Sequence, residues 1–133
     1  MQKLIETIAA AIIKQEGMKP DYHNPMNLRD APWLPQPERQ YVNLGKSGRF
    51  WAPSSRKQGI AGGLHLIALR IAEGYSLKAL VYAWAPPVEN NSGAYLANVQ
   101  KWTGIADAES PLLNLLEEPS AAVPGFAPPA PHV

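Results

Sequence analysis

The stretch Ile5-Glu6-Thr7-Ile8-Ala9-Ala10-Ala11-Ile12-Ile13-Lys14-Gln15-Glu16-Gly17 sets the frame for the whole chain. Ile5, Ile8 and Ile12 recur at helical spacing with Ala9 and Ile13 beside them, which predicts an amphipathic helix over residues 2–16. Gly17 supplies a left-handed stop. Glu16 follows Ile12 by four, so its carboxylate falls on the same face that the isoleucines give to the core.

Outward from that helix, the prolines at 20, 25, 32, 35 and 37 interrupt regular structure, and residues 19–37 read as a structured loop. Residues 39–51 place two β-prone segments around Gly45-Lys46-Ser47-Gly48, the pattern of a small hairpin that must lean on helices. Ser55 and Gln58 form a capping-box signature opening a helix with Ile60, Leu64, Ile67 and Ile71 at helical spacing, expected to end at Gly74. Gly59, Gly62 and Gly63 form no phosphate loop and are expected to permit close helix packing. Ser76 caps a helix over 77–85, with Leu80 and Trp84 on one face, which Pro86 and Pro87 terminate. A helix over 92–103 stops at Gly104, and Ser110-Pro111 is a cap and first-position pair for a last turn through Leu116. The class is therefore α+β, mainly α: one domain over residues 1–118, and a Pro/Ala-rich tail over 119–133 whose composition predicts disorder.

The 133 residues suit one core, and 46% hydrophobic with 17% charged residues is ordinary for a globular domain. A net charge of +1 with scattered basic residues argues against nucleic acid as a partner. A helix-turn-helix reading of residues 59–85 fares no better, because its second helix carries a single basic residue, Lys78. Without cysteine there is no thiol chemistry or disulfide framework. His23, His65 and His132 match no metal-ligand spacing, so neither a metal nor another cofactor is expected. Ser54 and Ser55 lack a nucleophile-elbow context. Glu6 interrupts what would have to be the apolar core of a signal peptide, and no apolar run approaches the ~20 residues that span a bilayer, so no membrane anchor is expected.

Among Glu6, Glu16, Asp21 and Asp30, only Glu16 joins an apolar stripe to a glycine stop and an irregular loop. Desolvation and the negative pole of the helix both disfavour its ionised form, which suits a general acid. The competing reading is an ordinary helix end, paired with Arg29 or exposed to solvent.

Glu16-Gly17, Asn24-Pro25-Met26-Asn27-Leu28-Arg29, Gln58-Gly59-Ile60, Trp84-Ala85-Pro86-Pro87-Val88-Glu89-Asn90-Asn91, Tyr95 and Thr103-Gly104 together resemble a family of phage and prophage lysozyme-like proteins, found in virions or as lysis proteins. The likeness covers about residues 5–105; Met26 stands where the family often has glycine. It implies a lysozyme-like fold whose first long helix ends at the catalytic acid, the position Glu16 takes. It also implies a glycosidase cleaving peptidoglycan strands between N-acetylmuramic acid and N-acetylglucosamine, synthesised in the host cytoplasm and then carried in a virion with other virion proteins or released to the wall. The alternative is an inactive virion structural or wall-binding protein on the same fold.

Asn27 and Arg29 offer an amide and a planar fork to substrate, or a loop bond and an ion pair to the protein itself. Glu89, Asn90, Asn91 and Tyr95 complete the expected substrate-binding set, although Asn91 is equally suited to capping and Tyr95 to packing. A second carboxylate is not evident, because nothing places Asp21 or Asp30 across a sugar from Glu16.

Overall fold

The computed structural model describes residues 1–19, 22–29, 31, 34, 41–43, 49–88 and 90–116. Among these the chain is mainly helical, with one short strand pair. Helix α1 spans Gln2–Glu16, β1 Tyr41–Asn43, β2 Arg49–Trp51, α2 Arg56–Ala72, α3 Leu77–Trp84 and α4 Ser92–Thr103. A further helical turn covers residues 112–116. No described helix is long and apolar enough to cross a membrane. The expected hairpin turn at 45–48, Asp21, Asp30, Glu89 and the expected tail lie outside the described residues.

The stripe of α1 forms the centre of the core: Ile5, Ile8, Ala9, Ala11 and Ile12 are buried, together with Ile67 and Ile71 of α2, Leu80 and Val81 of α3, and Val99 of α4. Burying each large aliphatic side chain contributes about 1.5–3 kcal/mol. The helix ends follow their sequence signals. Gly17 and Gly104 adopt left-handed φ of 63° and 79°, and Ser55, Ser76 and Asn91 each accept a backbone N–H three residues on. The Ser55–Gln58 box closes one residue early, since the Gln58 carboxamide oxygen accepts from the backbone and hydroxyl of Ser54.

Two expectations are corrected. Pro111 does not begin the last helical turn; it forms a bridge with Ser76 instead, and the turn starts at residue 112. The α2 glycines do not seat another helix. A Cβ on Gly59 would run into the His23 carbonyl, one on Gly62 would lie 2.6 Å from the Trp51 ring, and one on Gly63 would meet the Met26 sulfur. Their missing side chains admit the loop after α1 and strand β2 against α2. Met26 thus occupies a socket that Gly63 leaves open, and is fully buried there.

The strands pair antiparallel, Tyr41 with Trp51, Val42 with Phe50 and Asn43 with Arg49. On its other edge β2 meets the loop: Arg29 bridges to Phe50 and the Trp51 N–H donates to the Leu28 carbonyl at 3.0 Å. Leu28, Leu34 and Trp51 make a second, smaller core.

Candidate functional site

Glu16 is the last residue of α1, where the chain leaves the core for the loop. It is half-buried, and its Oε2 accepts a 2.8 Å hydrogen bond from the Tyr95 hydroxyl on α4. One residue earlier, the Asn98 amide donates to Gln15 Oε1 at 2.9 Å, so two side-chain bonds tie the end of α1 to α4. Burial pushes the pKa of Glu16 above the ordinary glutamate value, and the Tyr95 bond pulls partly against that shift. Desolvation prevails because the apolar stripe excludes water, whereas the hydroxyl returns a single donor. Burial, the negative charge of Glu16 and the shared hydrogen bond together raise Tyr95 far above the usual phenol range. Its hydroxyl therefore stays protonated and acts as a fixed donor. With Oε2 so engaged, Oε1 is the oxygen left to carry a transferable proton.

Tyr95 enters this arrangement differently from its expected part. Only 4% of its surface is exposed, so its ring is not open to stack on a sugar, and it reaches the site through Glu16. Nor is Glu16 an ordinary exposed helix end, since its carboxylate is engaged by Tyr95 across the fold.

The loop after α1 is held by a residue whose role the sequence left unassigned. Asn24 is 1% exposed. Its Nδ2 donates to the carbonyls of Leu28 (2.9 Å) and Trp51 (2.8 Å), and its Oδ1 accepts from Leu28 N–H at 2.8 Å. The carboxamide pairs the loop to β2 where backbone bonding is incomplete. Its sequence signal was its place beside Pro25, which marks a turn but does not identify what the side chain binds.

Asn27 has φ of 56°, the left-handed region that asparagine tolerates better than other non-glycine residues. Its N–H donates to the Asn24 carbonyl at 3.0 Å, closing the turn. Arg29 lays its guanidinium 4.8 Å from the centre of the Phe50 ring. Trp84 of α3 fastens the same loop through its Nε1, which donates to the Met26 carbonyl at 2.8 Å.

These contacts frame a cavity of about 190 Å³ between the loop, α2 and α3, walled by Asn27, Arg29, Leu66, Arg70, Leu80 and Trp84 among others. Glu16 is not part of that wall. The sequence-expected residues therefore fall into separate groups: Glu16 with Tyr95, and Asn27 with Arg29. Asn90 and Asn91 form a third, exposed group before α4. There Asn91 Oδ1 caps Ala94 N–H at 3.1 Å and Asn90 Nδ2 donates to the Pro86 carbonyl at 3.3 Å. Leu66 and Arg70 lie four apart on α2, as do Leu80 and Trp84 on α3. Each face was readable, but their meeting depends on how the helices pack.

Among the described residues no group of three or more His, Asp or Glu side chains is placed to hold a metal. The chain matches no protein-family model, no curated protein and no solved structure.

Proposed function

We propose that the chain is a peptidoglycan-degrading glycosidase with a lysozyme-like fold, and that Glu16 is its general acid. The observation that carries this reading is the end of α1, where a half-buried carboxylate with a raised pKa is oriented by a buried tyrosine through a 2.8 Å bond. Such a carboxyl holds its proton to higher pH than an exposed glutamate, and the Tyr95 bond holds one oxygen so that the other is left to donate the proton. The motif resemblance supplies the substrate class, glycan strands of N-acetylmuramic acid and N-acetylglucosamine.

In this mechanism Glu16 Oε1 protonates the glycosidic oxygen as the bond to the anomeric carbon breaks and positive charge develops there. Tyr95 positions the carboxyl and stabilises the carboxylate left behind. Completion follows one of two routes: water attacks the anomeric carbon and returns a proton to Glu16, or the sugar's own 6-hydroxyl attacks and gives up its proton to the same carboxylate. The first route yields a reducing end, the second a 1,6-anhydro sugar.

A second reading rests on the cavity beside Asn27, Arg29 and Trp84, which does not include Glu16. It makes the protein a wall-binding or virion structural component that binds without cleaving. Turbidity loss of purified, outer-membrane-stripped cell walls separates the two. Lysis by the wild type and its loss in Glu16→Gln, with both proteins folded by circular dichroism, is expected of the enzyme. Wall binding without lysis by either protein would establish the second reading. Mass spectrometry of the released sugars distinguishes hydrolysis from transglycosylation.

A further inference from the structure

The last residues of α1 meet α4 in antiparallel order. The Lys14 ammonium lies 4.6 Å from the centre of the Trp102 ring, the Asn98 amide donates to Gln15 Oε1 at 2.9 Å, and the Tyr95 hydroxyl donates to Glu16 Oε2 at 2.8 Å. Tyr95, Asn98 and Trp102 follow one another at helical spacing, so one face of α4 lines the end of α1. Asn98 stands out on that face for its residue type. Asparagine is a poor helix former, because its amide competes for nearby backbone groups, yet it stands inside α4 with its amide directed at another helix. The turn it holds is also the weakest of α1. The last carbonyls of a helix lack intrahelical donors and helix ends open first; here the Gly17 N–H closes back onto the Ile13 carbonyl, and the chain then leaves for the loop. A glutamate side chain has several rotatable bonds, so the Tyr95 bond places one carboxylate oxygen without fixing the backbone that carries it.

We propose that Asn98 is a positioning residue for Glu16: by holding Gln15 it sets the last turn of α1, and with it the place of the Glu16 carboxyl against the Tyr95 hydroxyl. The catalytic consequence rests on the function proposed above, whereas the positioning stands on the geometry alone. When the Asn98 bond is lost the turn loosens, water reaches the carboxyl and the Tyr95 bond weakens. These changes act on Glu16 in opposite directions. Hydration lowers its pKa and loss of the tyrosine donor raises it; burial is the larger of the two causes, so the net movement is down, toward the ordinary 4.5. Removing the Tyr95 hydroxyl alone moves it up. The opposed signs separate the residue that positions the turn from the residue that donates to the carboxylate. Lys14, the charged neighbour on the same turn, is exposed and keeps its place over Trp102 in either case.

The test is the titration of the Glu16 carboxyl in the full chain, followed by carbon NMR, with the Glu16 signal identified by its absence in Glu16→Gln. Asn98→Leu keeps the branched shape of the side chain, favours helix more than asparagine does and removes the donor; Gln15→Met removes the acceptor from the other side of the same bond. The expected result is a lowered Glu16 midpoint in both, opposite to Tyr95→Phe, with helix content unchanged by circular dichroism. The Asn98→Leu/Gln15→Met double variant moves the midpoint no further than either single one, the mark of two residues acting through one bond. In wall lysis kcat falls by about tenfold or more, the scale of a slightly misplaced catalytic group, while wall affinity is unchanged. Absence of lysis by the wild type counts against the glycosidase and leaves the titration to decide the positioning. If Asn98→Leu fails to fold, Gln15→Met, at the end of its helix, carries the test. An unchanged or raised Glu16 midpoint in either folded single variant, or additive shifts in the double variant, overturns the proposal.

Discussion

Replacing Asn24 with alanine tests whether the loop beside the candidate acid is held by one side chain. The substitution deletes three hydrogen bonds of 2.8–2.9 Å at a site 1% exposed. The Leu28 carbonyl keeps the Trp51 N–H as a donor, but Leu28 N–H loses its Asn24 acceptor inside the protein. A buried group left unsatisfied costs about 1–3 kcal/mol, and each bond lost between satisfied partners about 1 kcal/mol. The expected destabilisation is therefore roughly 3–5 kcal/mol, a melting-temperature drop on the order of 10 °C or more for a domain of this size. Asn24→Asp keeps the acceptor for Leu28 N–H and loses both donors while presenting a carboxylate to two carbonyls, so it is no rescue. Thermal and urea unfolding followed by circular dichroism give the number. The helical signal below the transition is unchanged, because no helix backbone bond passes through Asn24. A loss under about 0.5 kcal/mol, within the ordinary range of surface substitutions, would show that the loop is held by packing of Met26 and Trp51 and that the carboxamide network is incidental.

Removing the Tyr95 hydroxyl with Tyr95→Phe takes away the donor that lowers the Glu16 pKa. Glu16 then holds its proton to still higher pH, and the alkaline limb of a wall-lysis pH profile moves upward; no movement, or movement downward, rejects the assigned role. Because the folded-state pKa of Glu16 is raised, the native state binds more protons than the unfolded chain in the window just above the ordinary glutamate value of 4.5. Stability falls as pH rises through that window, so Glu16→Gln is expected to be more stable than wild type at neutral pH and closer to it in acid, as urea midpoints at pH 4 and 7 will show. Gly59→Ala should destabilise by about 1–3 kcal/mol despite the ~1 kcal/mol that alanine adds to a helix, since its Cβ meets the His23 carbonyl; a raised melting temperature would mean the loop moves aside freely.

Local chemistry made much of the fold legible in sequence. The isoleucine stripe and Gly17 define α1 to its last residue, and Ser55, Ser76, Asn91 and Gly104 mark helix ends because capping joins neighbours in the chain. The same helix geometry placed Glu16 on an apolar face, where burial raises its pKa. The partner of that carboxylate was beyond local reasoning: Tyr95 lies 79 residues away, and only the packing of α1 on α4 brings its hydroxyl to Glu16. The α2 glycines look like a helix-packing device in sequence but receive a loop and a strand, since a missing Cβ records that something approaches, not what. Asn27 and Arg29 were identified by type, whereas the cavity beside them exists because α2 and α3 present Arg70 and Leu80 to one space. Periodicity and caps are set by residues within a few positions of each other and so belong to the sequence; a pKa, a cavity and a hydrogen-bond partner depend on distances between remote segments, which tertiary packing alone determines.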